Sequence, residues 1–137
     1  MKLIEQLIRV ELSAVKSIDT ILRKIKDEAE KEELYSIRQD HLQAVTKLKP
    51  FAGSDFKETD LPYGPWAAFS SVLVTGARFF GEKASLRAMK VAEEHGLNEY
   101  REAVKSEGIS SQAKEMIQAD LLPTQEKHLV TIDRYLQ

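Results

Sequence analysis

Four stretches of the chain repeat apolar residues at three- and four-residue steps, and each carries a glutamate or histidine in the middle of its stripe. The first stripe runs through Ile4, Leu7, Ile8, Glu11, Ala14, Val15, Ile18, Leu22 and Ile25, and the second through Leu34, Ile37, Arg38, His41, Val45 and Leu48. The third holds Leu86, Met89, Glu93, Leu97, Tyr100 and Val104, and the fourth Ile117, Leu121, Gln125, His128, Ile132 and Tyr135. Such steps follow the α-helical turn, so each stretch is predicted to be a helix with one buried face. Four such faces cover one another in an all-α, antiparallel four-helix bundle. Glu11, His41, Glu93 and His128 then fall where a bundle core ordinarily places leucine.

Punctuation between the stripes supports this division. Asp27 and Glu30 have the spacing of a capping box that would start the second helix, and Pro50 should stop it. Residues 52–64 are rich in turn formers and form the long connection between two hairpins. Residues 65–80 begin with proline and are apolar on nearly all sides, which predicts a short extra helix that plugs one bundle end with Trp66, Phe69, Phe79 and Phe80. Gly108 ends the third helix, Ser110 or Ser111 caps the fourth, and Pro123 should distort the fourth one turn before His128. Each hairpin carries a glutamate on its first helix and a histidine on its second, a pseudo-repeat of polar positions without letter-by-letter similarity.

Composition bounds the function. The 137 residues, 42% of them hydrophobic, suit a single domain spanning 1–137. A net charge of −2 with interspersed signs gives no face for nucleic acid or acidic membrane. The absence of cysteine removes disulfides, thiolate ligands and thiol nucleophiles. The opening MKLIEQLIRVEL is broken by acids, unlike a secretory signal, and no uncharged apolar run is long enough to span a bilayer, so a cytoplasmic, non-membrane protein is expected. No phosphate loop, nucleophile elbow or HExxH motif occurs, which leaves hydrolase and nucleotide-binding readings without support. A homodimer is the default partner expectation for a soluble assembly.

The four inner residues resemble the ferritin-like superfamily, whose bundles supply a Glu from each of two helices and Glu-x-x-His from each of the other two. Glu11 and Glu93 match the lone glutamates, and His41 and His128 match the histidines. Arg38 and Gln125 stand where that motif has its remaining glutamates. The length, the long connection, the plug-like segment and the ending LLPTQEKHLVTIDRYL look most like a bacterial branch of the superfamily, for which the resemblance implies a fold and not an activity.

Two readings of the polar centre follow. In one, Glu11, His41, Glu93 and His128 hold a single transition metal, with zinc, manganese or ferrous iron suited to two imidazoles and two carboxylates. In the other, Arg38 replaces the metal as the cation between Glu11 and Glu93, and the histidines and Gln125 complete a cofactor-free polar-core network. The second, a non-enzymatic binding or structural module with a degenerate di-metal site, is the expectation carried forward. Glu94 is a second choice for the inward carboxylate, and His95 is expected in solvent. Asp40 points about 100° from His41, so no dyad between them is expected. Tyr35 and Tyr100 are candidates for hydrogen-bond donors near the centre.

Overall fold

The computed structural model describes residues 2–57, 64, 66–67 and 81–137, and its long elements are all helices, with no strand among the described residues. They are α1 (Lys2–Leu22), α2 (Glu28–Leu48), α3 (Glu82–Lys105), and a fourth helix built from α4 (Ser111–Met116), a π-turn (Ile117–Leu121) and α5 (Leu122–Leu136). Among the described residues, no helix is long and apolar enough to cross a membrane.

Helix limits follow local chemistry. Asp27 caps α2, its side chain accepting from the Glu30 N–H at 3.1 Å. Pro50 turns the end of α2 into one turn of 3-10 helix over Lys49–Phe51. Ser110 caps α4 through the Ala113 N–H at 3.1 Å. The irregularity expected at Pro123 takes the form of the π-turn, in which the Leu122 N–H reaches back to the Ile117 carbonyl. Proline has no N–H to offer the preceding turn and crowds its carbonyl, which a wider turn relieves. The spacing of buried residues points the same way. Ala113, Ile117, Leu121 and Gln125 are all buried and lie four apart, and each step of four overshoots an α-helical turn by about 40°. The wide turn absorbs that drift and keeps all four facing inward.

Two apolar clusters make up the core. One joins Val10, Ala14, Ile18, Ile21 and Ile25 to Leu34, Ile37, Leu86, Met89, Ala92 and Ile132. The other joins Ile4, Leu7 and Ile8 to Ala44, Val45, Leu48, Tyr100, Ala103, Ile117 and Leu121. The start of α1 thus shares a cluster with the end of α2, and the end of α1 with the start of α2. Glu11, His41, Glu93, Gln125 and His128 lie close to where each helix passes from one cluster to the other, and all five are buried. They form a polar layer across the waist of the bundle.

The expected extra helix over 65–80 lies almost wholly outside the described residues, Phe69, Phe79 and Phe80 included. Trp66 and Ala67 are helical, and Trp66 is 1% exposed within the first cluster. Its indole stands edge-on to the His41 ring at 6.3 Å between centroids.

Candidate metal centre

His41 holds the middle of the layer. Its Nδ1 lies 2.7 Å from Glu11 Oε2 and its Nε2 2.7 Å from Glu93 Oε1. Glu93 carries on to the fourth helix, where its Oε2 faces His128 Nδ1 at 3.3 Å and takes a close hydrogen bond from the Gln125 amide. The same Gln125 amide also donates to the Glu93 main-chain carbonyl at 3.0 Å. His128 Nε2 then meets Asp40 Oδ2 on α2 at 2.9 Å. The two imidazoles are 4.9 Å apart between centroids.

Charge in so dry a place is sustained by its partners. Burial opposes a charge on His41, but Glu93 and Glu11 outweigh it and raise its pKa well above the ordinary 6.5. His128 is raised in the same way, burial being overcome by Glu93 and by the hydrogen bond to Asp40. Burial would push the Glu93 carboxyl up, yet His41 and His128 bring it down to about 2. Asp40 is held below its usual value, chiefly by its hydrogen bond to His128.

The four inner residues expected from the stripes are therefore brought together, and Gln125 joins them. Arg38 does not, which corrects the expectation of an Arg38-centred network. Its Nε lies 2.5 Å from Asp19 Oδ1 on α1, with both side chains partly in solvent. Arg38 sits at the edge of its stripe, and its long side chain follows the nearest carboxylate outward instead of desolvating between Glu11 and Glu93. Tyr35 is exposed, and Glu94 and His95 are exposed as well. Asp40 is the residue that stripe reasoning missed. It faces away from His41 on its own helix, but that rotation aims it at His128. Gly96 was missed too: a Cβ there would stand 3.0 Å from Gln125 Nε2. A glycine inside a helix costs about 1 kcal/mol relative to alanine, which is the signal that something packs against it.

The donor set suits a single ion. One atom each from His41, Glu93 and His128 lies within 4.8 Å of the other two, and His41 Nε2 and His128 Nδ1 each face Glu93. The remaining nitrogen of each ring faces a second carboxylate, Glu11 for His41 and Asp40 for His128. Metal-binding histidines characteristically donate their other N–H in this way, which fixes the tautomer and ring orientation. Glu11 faces the far nitrogen of His41 and is not one of the three clustered donors. Paired with Asp19, Arg38 supplies no cation to the layer. No family model, curated protein or solved structure matches this chain.

Proposed function

We propose that the chain is an antiparallel, ferritin-like four-helix bundle that binds one divalent transition-metal ion in its central polar layer. The ligands are His41 Nε2, His128 Nδ1 and the Glu93 carboxylate, with Glu11 and Asp40 orienting the two rings. The observation that carries this reading is the pairing of the histidines: each offers one nitrogen toward Glu93 and gives the other to a separate buried or half-buried carboxylate. Two imidazoles and one carboxylate suit ferrous iron, manganese or zinc. Such an ion supplies Lewis acidity or, for iron and manganese, a redox centre. A paired di-metal centre is not part of the proposal, because Gln125 takes the place of one anionic ligand and Arg38 that of another.

The test is metal content by plasma mass spectrometry on tag-free protein incubated anaerobically with each ion. About one equivalent is expected, lost in His41→Ala and His128→Ala and retained in His95→Ala. No uptake by the unaltered protein, with a melting temperature unmoved by chelator, sinks the reading.

One observation favours a second reading. Every ring nitrogen of His41 and His128 already faces a carboxylate oxygen, so the layer also closes as a proton-bridged network with no ion. The bundle would then be a non-enzymatic binding or structural module, and the same uptake measurement separates the two.

A further inference from the structure

A cavity of about 20 Å³ opens beside the polar layer, with Glu11, His41, His128, Gln125 and Tyr100 on its wall. Roughly 10–15 Å³ is enough to hold one water-sized species, so this space takes one and not two. Tyr100 is 2% exposed, and its hydroxyl lies near the Glu11 carboxylate but makes no hydrogen bond of ordinary geometry among the described residues. A buried hydroxyl left in that state is unfavourable, and the space it borders is the place where a partner fits. Burial and the neighbouring Glu11 carboxylate push its pKa well above the usual phenol value, so it keeps its proton and acts as a donor.

We propose that this cavity binds one water-sized hydrogen-bond acceptor beside the ion, water itself or a small monovalent anion that displaces it, and that the Tyr100 hydroxyl donates to it. The inference rests on the assignment of His41, Glu93 and His128 as ligands. An acceptor in the cavity has a lone pair for the ion and another for Tyr100, and water in addition has protons to give to Glu11. Without the ion, each ring nitrogen of His41 and His128 faces a carboxylate oxygen and the layer offers an anion no open position, so anion binding depends on metal loading. The outer wall supplies a polar way in. Lys47 lines it, half-exposed, with its ammonium 3.6 Å from Asp120 of the π-turn.

The experiment loads the protein with manganous ion and follows water-proton relaxation during a fluoride titration at constant ionic strength. The bound ion should enhance relaxation through an exchanging water, and fluoride should reduce the enhancement saturably. Tyr100→Phe keeps the ring and removes the donor, so it should raise the fluoride midpoint by about five-fold, the worth of one ordinary hydrogen bond, while manganese affinity stays the same. An unaltered protein that takes up manganese but does not respond to fluoride overturns the proposal and leaves the ion site standing. So does an unchanged midpoint in Tyr100→Phe. Failure of the unaltered protein to take up manganese overturns the proposal, and failure to take up iron and zinc as well overturns the ion site with it.

Discussion

His41 Nε2 stands 2.7 Å from Glu93 Oε1, and neither side chain reaches solvent. The contact joins two helices that pack chiefly on other partners, α2 on α1 and α3 on the fourth helix. It ties the two helix pairs together through the middle of the core.

Glu93→Gln removes the carboxylate that faces both imidazoles. In the presence of chelator at pH 6, the urea-derived stability should fall by about 3–5 kcal/mol, the usual cost of breaking a buried ion pair by deleting one partner. Metal uptake should vanish in the same variant. A loss below about 1 kcal/mol would mean that the layer is not charged.

The pH profile of the metal-free protein has a definite sign. Glu93, held at about 2 against an ordinary 4.5, contributes stability that is present above pH 4.5 and lost as pH falls toward 2. His41 and His128, raised above 6.5, contribute stability that is present below pH 6.5 and lost as pH rises through their folded values. Glu30 acts in the same alkaline direction. Burial first, and then Glu82, push its carboxyl up to about 7, so its ionisation weakens the fold increasingly between pH 4.5 and 7. Urea midpoints should therefore peak at about pH 5 and decline on both sides. Glu30→Gln should stabilise the protein at pH 8 and leave it unchanged at pH 4.5. A flat profile from pH 5 to 9 would exclude charged imidazoles.

Ligands and orienting carboxylates should separate in a zinc titration followed by calorimetry. His128→Ala abolishes binding, whereas Asp40→Asn and Glu11→Gln weaken it by about 10–100-fold, as loss of an orienting partner does elsewhere. Because the rings must shed protons to bind an ion, affinity in the unaltered protein should rise with pH. Equal losses in all three variants would place Glu11 and Asp40 on the ion itself.

Arg38→Ala touches a partly exposed pair with Asp19, and its cost by urea unfolding should be about 1 kcal/mol or less. Metal affinity should not change. A large loss of both would return Arg38 to the core.

Gly96→Ala gains about 1 kcal/mol of helix propensity but pushes a methyl group to 3.0 Å from Gln125 Nε2. The amide can swing aside, so stability should hold or rise while zinc affinity falls, since Gln125 no longer steadies Glu93. If both stay constant, the Gln125 contact is dispensable for the site.

Helical period alone was enough to place Glu11, His41, Glu93, Gln125 and His128 on inner faces, because each stripe is apolar for several turns on either side. The same period could not settle residues at a stripe's edge. Arg38 and Asp40 flank the inner face of α2, and what each one meets is decided by a neighbouring helix: Asp19 of α1 for Arg38, His128 of α5 for Asp40. Which ring nitrogen faces which carboxylate likewise depends on packing across helices, so the sequence could name Glu11 as inner but not put it behind His41. The run of fours from Ala113 to Gln125 was a readable sign of a widened turn. Pro123 accounted for only part of it.

That widened turn makes the fourth helix two separately indexed halves. Up to Leu121 its inward residues belong to the apolar cluster at one end of the molecule; past the turn, Gln125 and His128 belong to the polar layer and Ile132 to the other cluster. A shift of phase in the first half can be taken up at the seam before it reaches His128, so sequence drift at that end of the bundle is decoupled from the geometry at its centre.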